Sequence, residues 1–432
     1  MNAMEREAAK VVHALRERGF PAFFVGGYVR DKWLGRPVKD VDIATAAAPE
    51  VVMDTFSKTV PTGLQHGTVT VLSGGFSYEV TTFRKETGYS DYRRPDQVEF
   101  VGALEEDLQR RDFTMNAMAA GPDGEWIDPF GGRRDLEQGR LRCVGEPAIR
   151  FQEDALRMMR CVRFAAEYSL QIESGTWQAL LEHRHLLKHV AMERVGAELA
   201  RIMDGADPYR GLGLLYEAKL PLHWAESGPI PHQAWGEAVA QLASADFQLL
   251  SDAEQRTLLW LLAAGLRPDA TAQWSRALRY SNTVQKRMRA ALLVHARLAD
   301  GLASRQRWVE AVLDNGREAA LRWLALARTF QNSSRVLQAI GLSSEQCEAY
   351  IHHAEKWLAQ MEATQASELK LDGSDLVAIG RTLGRKPGPW ISHVQQWLLL
   401  QCAMGEVQND PDALRYAAQM YMRELADKEE IR

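Results

Sequence analysis

Long apolar runs are missing from this 432-residue chain. The longest, Leu258 to Leu266 (LLWLLAAGL), is nine residues, less than half of the roughly 20 that a membrane-spanning helix needs. The N-terminal stretch MNAMEREAAKVVHALRERGF lacks the unbroken apolar centre of a secretory signal. Cysteine is scarce: Cys143, Cys161, Cys347 and Cys402 stand far apart without a CxxC pair, which suggests neither a zinc knuckle nor a disulfide framework. These absences predict a cytoplasmic protein with no membrane partner. An excess of positive charge is also lacking, since 52 Lys and Arg face 57 Asp and Glu for a net charge of −5. That excludes a chain that coats nucleic acid with uniform positive charge, and leaves room for a local basic site. No P-loop, dinucleotide fingerprint or Ser/Cys triad is visible. What remains is ordinary globular composition, 46% apolar and 25% charged with 12 Trp, enough for about three domains.

Residues 1 to about 138 read as short strands alternating with helices. Ala22–Val25, Val41–Ala44, Thr68–Leu72 and Tyr78–Phe83 are β-branched or aromatic runs bounded by Gly, Pro, Asp or Ser, the pattern of half-buried strands. An amphipathic helix should precede the first strand, and Pro49 to Ser57 should form another. From Glu146 the period changes to 3.6 and strand signals nearly vanish, with breaks at Asp207-Pro208, Pro229–Pro231, Gly373 and Pro387–Pro389. The fold class is therefore α+β: a mixed-sheet head on a long helical body.

The densest chemistry lies in FVGGYVRDKWLGRPVKDVDIAT, Phe24 to Thr45. A strand, then Gly26-Gly27, then Val29-Arg30-Asp31 describes a glycine turn opening a helix, which offers backbone N–H groups to a phosphate, with Arg30 beside them. Asp40 and Asp42 follow, and strand alternation puts both carboxylates on one face. Two adjacent carboxylates repel unless a cation lies between them, and hard oxygen ligands suit Mg²⁺. A phosphate cradle beside such a pair is equipment for nucleotidyl transfer.

At this point the chain resembles the class II tRNA nucleotidyltransferase and bacterial poly(A) polymerase family, within the polymerase β-like nucleotidyltransferases. Its strongest likeness is to Gram-positive-type CCA-adding members. Arg110–Ala117 (RRDFTMNA), Asp128–Gly132 (DPFGG) and Glu153–Arg157 (EDALR) follow in family order. The segment from Leu371–Asp375 (LDGSD) to Gly388-Pro389-Trp390 resembles the family's RNA-binding tail. The resemblance implies a polymerase β-like head at 1–138, a neck with a base-recognition helix at 139–205, a body at 206–330 and a tRNA-binding tail at 331–432. It further implies template-independent addition of CCA to the tRNA 3′ acceptor end from CTP and ATP, with Mg²⁺ held by Asp40 and Asp42. Gly27, Arg30 and Arg111 would bind the triphosphate, Asp154 and Arg157 would read the base, and Arg160 and Arg163 would contact the incoming nucleotide. A homodimer fits the family. Alternatives are an A-adding enzyme with a separate CC-adding partner, a poly(A) polymerase, and a non-catalytic RNA-binding protein.

The residues themselves support parts of this. Ala155, Met158, Met159, Val162, Ala165 and Ala166 form an apolar stripe on a neck helix, while Asp154, Arg157, Arg160 and Arg163 wind across its other side. Between Arg133 and Arg163 lie eight arginines and no lysine, which favours planar, bidentate recognition. Cytosine and adenine both present an amino donor beside a ring-nitrogen acceptor, and uracil and guanine present the reverse. An aspartate acceptor beside an arginine donor thus matches C and A alone. Arg111 offers a forked cation, Asp112 an acceptor for a ribose hydroxyl, and Glu79 a third carboxylate near the metal.

Other signals are weaker. Gly88–Pro95 (GYSDYRRP) looks like the flexible loop of full CCA-adding and A-adding enzymes, and equally like a surface loop. Arg276, Arg279, Lys286, Arg287, Arg289 and Arg297 fall in an acid-free window, 270–299, read either as a tRNA backbone site or as a solvated helix face. His183, His185 and His189 lack an HExxH pattern and a third ligand, so a structural or surface role is expected.

Overall fold

The computed structural model describes residues 2–89, 92, 97–226, 228 and 230–430, of which 426–430 are described by backbone alone. Two compact units divide the chain, Met1–Ser227 and Gly228–Arg432.

The first unit opens with helix α1 (Ala3–Glu17), started by a capping box in which Asn2 and Glu5 exchange side chain-to-backbone bonds of 2.8 and 2.7 Å. Such a box satisfies two N–H groups that a helix start otherwise leaves unpaired. Its Ala8, Val11, Val12 and Leu15 fall at helical spacing and are buried. Strand β1 (Ala22–Val25) runs into helix α2 (Gly27–Trp33) through Gly26, whose φ of +68° is one that glycine adopts freely. Then come β2 (Asp42–Thr45), α3 (Pro49–Thr55), β3 (Thr59–Gly63), β4 (Thr68–Ser73), β5 (Phe76–Thr82), β6 (Arg84–Thr87) and β7 (Gln97–Phe100). Helix α4 (Leu104–Gln109), β8 (Ala119–Ala120), β9 (Trp126–Ile127) and α5 (Gly132–Glu137) complete this part.

The main sheet has the order β3-β4-β5-β2-β1-β8-β9, and β6 pairs with β7 apart from it. Antiparallel pairing of β1 with β2 sets Val25 opposite Asp42, and parallel pairing of β2 with β5 sets Asp42 opposite Glu79. The glycine turn and the carboxylates therefore meet at one edge of the central strands. Beneath them Val25, Ala44, Phe83, Leu108, Ala117, Ala119 and Val144 form a core cluster.

The DPFGG motif serves this architecture as a cap. Asp128 accepts the N–H groups of Gly132 and Arg133 at 2.7 and 2.9 Å. A Cβ at Gly132 would lie 2.2 Å from the carbonyl oxygen of Thr114, which is rigid backbone. Gly132→Ala is therefore expected to destabilise the chain by about 3 kcal/mol, the upper end for an overpacked site. Urea unfolding reads this directly, and a midpoint equal to wild type would mean that the backbone yields cheaply.

Four sequence-read strands appear within two residues of their expected ends. The β3 edge strand was not expected, because Pro61 and Gly63 interrupt it.

After β10 (Arg140–Leu141) the first unit is almost wholly helical: α6 (Pro147–Glu153), α7 (Arg157–Glu167), α8 (Ser174–His183), α9 (Met192–Asp204) and α10 (Pro208–Glu217). The expected apolar stripe is buried in full, from Ala155 to Ala166. One correction concerns continuity. Asp154 does not ride on the helix with Arg157, because the chain breaks there with Asp154 extended at φ −139° and ψ 103°. Its carboxylate accepts the N–H of Leu156 two residues on, at 3.1 Å, the local competition by which Asp ends helices.

The second unit is helical throughout its described residues, and its cores are built on tryptophan. Trp260, Trp274, Trp308 and Trp323 are fully buried, and the run Leu258–Leu262 contributes core side chains to the Ala253–Ala263 helix. A second cluster gathers Leu371, Leu376, Val394, Leu398 and Leu414. There the LDGSD motif is a helix start: Asp372 caps Gly373–Thr382 in a capping box with Asp375. Among the described residues, no helix is long and apolar enough to cross a membrane.

Candidate active site

One cavity of about 770 Å³ in the first unit collects the sequence-read residues: Gly27, Arg30, Asp40, Asp42, Arg111, Asp154, Arg157, Arg160 and Arg163 all line it. Its wall holds eight arginines and five acids, and no lysine. That excess of planar cations suits a polyphosphate ligand.

Asp40 lies just before β2 and Asp42 on its first residue, with buried Val41 between them. The three other acids of the wall are each engaged by arginine: Asp112 by Arg160, Asp154 by Arg194, Glu198 by Arg163 and Arg201. The carboxylates of Asp40 and Asp42 have no ion pair or hydrogen bond among the described residues. Burial, then the charges of Asp40 and Glu79, push the Asp42 carboxyl up to about 6, against a smaller opposing pull from Arg111. An uncompensated pair of hard oxygen donors fits a divalent cation. The described residues provide no group of three His, Cys, Asp or Glu side chains for a metal, so further ligands would come from substrate or water. Glu79 is exposed and not among the residues lining the cavity; it acts on Asp42 through charge.

The phosphate side is built around Gly26. A Cβ there would sit 3.0 Å from Arg111 Nη1 and 3.6 Å from Asp42 Oδ2, so a side chain at this position would press on the Arg111 guanidinium as well as strain a backbone with φ +68°. Arg111 is aimed by fully buried Asp107, 3.2 Å from Nη2. Burial would raise the Asp107 carboxyl, but the charges of Arg110 and Arg111 outweigh it and hold it low. The Nε of Arg111 is buried with no protein partner among the described residues, a donor left for a ligand. Arg30 is more occupied than its sequence position suggests. It forms a fork on Asp31 with both bonds at 3.0 Å, donates to Asn116 at 2.6 Å, and lies 4.4 Å from the Tyr168 ring.

Asp112 is buried and nearly saturated. It accepts from its neighbour's Phe113 N–H, from Asn116 and from Arg160 at 2.8–3.0 Å. Burial alone would raise its carboxyl; Arg160, Asn116 and Arg157 outweigh burial and hold it far below the usual carboxylate range. Its clearest structural role is to hold Arg160. Arg157 donates to Glu153 at 2.6 Å and to the carbonyls of Arg150 and Arg110 at 3.1 and 2.9 Å.

Sequence reasoning missed Arg194, Ala197, Glu198 and Arg201, which line the cavity from one face of α9. Their i, i+3, i+4, i+7 spacing was legible, but nothing local tied that face to the cavity. The loop reading at 88–95 falls partly on residues 90, 91 and 93–95, which lie outside the described set. Of the rest, Tyr92 accepts the Ala155 N–H at 3.2 Å and stacks on His189 with ring centres 4.9 Å apart. His183 binds Gln152 and the Ala179 carbonyl.

Three of the six cations in the basic window of the second unit are ion-paired. Arg287 pairs with Glu254, Arg289 with Asp269, and Arg297 with Glu310 and Asp314. Arg276 bonds the Ala272 carbonyl. Lys286 is exposed and has no ion-pair partner among the described residues.

Family models match stretches of both units. Residues 22–142 match the poly A polymerase head domain, 169–224 the probable RNA and SrmB-binding site of polymerase A, and 248–418 a putative tRNA nucleotidyltransferase domain 2. The chain is 36% identical to the CCA-adding enzyme of Ligilactobacillus salivarius, covering 97% of each chain. It is 35% identical to that of Bacillus cytotoxicus, covering 95% of this chain and 97% of the relative. The crystal structure of the Bacillus stearothermophilus CCA-adding enzyme in complex with CTP superposes with a TM-score of 0.83 at 33% identity, covering 99% of this chain and all of that one. On full-length identity of this order and a shared fold, the chain belongs to the CCA-adding enzyme family.

Proposed function

We propose that this chain builds and repairs the 3′-terminal CCA of tRNA without a nucleic-acid template, taking CTP twice and then ATP. The observation that carries the reading is the single cavity where an unpaired Asp40/Asp42 couple faces an arginine wall and the Asp154 and Arg157 side chains. Full-length relatives named as CCA-adding enzymes support it.

In this reading Asp40 and Asp42 hold Mg²⁺. Bound there, the ion supplies activation of the tRNA 3′-hydroxyl and charge stabilisation on the transferring phosphoryl group. Arg111, aimed by Asp107, and the Gly26–Gly27 turn bind the triphosphate end. Arg30 braces that turn through Asp31 and Asn116. Asp154 and Arg157 read the base, and Arg160 and Arg163 contact the incoming nucleotide. Cytoplasmic location, a homodimer and the four-part division at 138, 205 and 330 remain proposals drawn from the family. Light scattering reads the dimer.

Incubating the protein with tRNA ending before the CCA, or after its two cytidines, with labelled CTP or ATP tests the assignment. Incorporation of both nucleotides in order is expected. ATP alone on the CC-ended substrate would make it an A-adding enzyme, an unlimited A tail would make it a poly(A) polymerase, and no incorporation would leave an RNA-binding protein.

For the second unit, Lys286→Glu is the clean probe of a tRNA backbone contact. Arg287→Glu would instead confront Glu254 and disturb the fold. The Lys286 change should weaken tRNA binding and lower its log–log salt slope by about 1. Unchanged affinity and slope would remove the site.

A further inference from the structure

Hydrogen-bond capacity at Asp154 leads beyond the residues already assigned. A carboxylate offers four acceptor sites, two on each oxygen. Oδ1 accepts from Leu156 N at 3.1 Å and from Arg194 Nη1 at 3.2 Å, and Oδ2 accepts from Arg194 Nη2 at 2.8 Å. Among the described residues nothing else bonds Asp154, so one acceptor site remains, on Oδ2. Arg157 is pinned in the same manner. Its Nη1 donates twice, to Glu153 and the Arg150 carbonyl, and its Nη2 once, to the Arg110 carbonyl. Two of its five N–H groups have no partner among the described residues. The pair is left with one acceptor and a donor edge, the complement of the amino group and ring nitrogen shared by cytosine and adenine.

Arg194 also sits where a helix disfavours it. It is the third residue of α9, in the first turn, where the helix dipole favours acids over cations. Its two bonds to Asp154 form a bidentate fork, the geometry that fixes a carboxylate in both position and plane. Four residues on, Glu198 holds Arg163 at 2.6 Å, so one face of α9 braces two cavity side chains that helix α7 and its leading turn present.

We infer that Arg194 is a positioning residue for base selection: its fork fixes the Asp154 carboxylate and consumes the surplus acceptor sites, so that a single acceptor meets the base. This rests on the reading that Asp154 and Arg157 select the nucleotide. Without the fork, Asp154 can rotate about its side-chain torsions. A mobile carboxylate offering extra acceptor sites meets cytosine or adenine less often in the matching geometry, and a water between it and the base can serve uracil.

The test compares wild type with Arg194→Gln, Arg194→Lys and Asp154→Asn on a tRNA lacking CCA. The readouts are kcat/KM for CTP and UTP, the KM and kcat for CTP, the Ki of ribose 5′-triphosphate as a base-free competitor, and the thermal midpoint. Arg194→Gln should lower the CTP/UTP ratio at least tenfold, mainly through a raised KM for CTP. The Ki of the base-free competitor should stay within twofold of wild type, which a general collapse of the cavity would not allow. Arg194→Lys keeps the charge but loses the fork, and should fall between. A wild-type ratio in both Arg194 variants, alongside a lost ratio in Asp154→Asn, would overturn the inference and leave the base-reading assignment standing. A wild-type ratio in Asp154→Asn would overturn both. Should Arg194→Gln melt below the assay temperature, the Arg194→Lys ratio decides alone.

Discussion

Asp42→Asn is expected to lower CTP and ATP incorporation by about 10³-fold while leaving tRNA affinity within a fewfold of wild type. The size follows from removing one of two charged oxygen donors from a site whose chemistry is electrostatic stabilisation of a phosphoryl transfer. The same substitution should stabilise the chain when no divalent cation is present. Asp42 titrates at about 6 in the fold against an ordinary value of 3.8, because it is buried beside Asp40 and Glu79. The folded state therefore holds this proton more tightly than the unfolded state does. Stability from this group falls as pH rises from about 4 to about 6, and the full penalty is present above about 6. Asparagine removes it. In chelator at pH 7.5 the variant should gain stability on the order of 1–2 kcal/mol, and the gain should vanish below about pH 4. Added Mg²⁺ should raise the melting point of wild type more than that of the variant. Activity near wild type, or a variant less stable in chelator, would sink the metal assignment.

These expectations reach back to what could be seen in the chain itself. The DxD spacing, the Gly-Gly turn and RRDFTMNA are local, and each residue read from them lines the cavity. What could not be seen is long-range. Arg194 grips Asp154 across 40 residues, and Glu198 grips Arg163 across 35. No window of sequence contains both partners. The break at Asp154 was hidden for another reason: Met158 N still bonds the Ala155 carbonyl at 3.1 Å, so the apolar stripe keeps helical spacing through a turn that is not a helix. In the second unit the long-range partners are acids. A window of 30 residues without an acid looked uniformly basic, but Glu254, Asp269, Glu310 and Asp314 arrive from outside it and pair with Arg287, Arg289 and Arg297, three of its six cations. Net charge of a segment is a property of the chain; the field at a surface is a property of the fold.

The second large effect belongs to Asp154→Asn, and its chemistry can be followed atom by atom. The amide carbonyl will occupy the Oδ1 position, where Leu156 N and Arg194 Nη1 both donate. That turns the amide NH₂ toward Oδ2's place, where it faces Arg194 Nη2 and the base. A donor now stands beside the donor of Arg157. Cytosine and adenine lose the acceptor for their amino group and meet an N–H instead. Uracil gains a partner for its carbonyl oxygen, but its ring N–H still confronts Arg157. No base is matched at both positions. The expected result is a fall in kcat/KM for CTP and for ATP of about 10²- to 10³-fold, the scale of a buried hydrogen-bond mismatch. UTP and GTP should change by less than tenfold, so discrimination collapses chiefly through loss of the correct nucleotides. Steady-state kinetics with all four triphosphates on one truncated tRNA measures this. If CTP and ATP turnover survive while UTP stays excluded, the base is selected elsewhere in the cavity and Asp154 merely ends a helix.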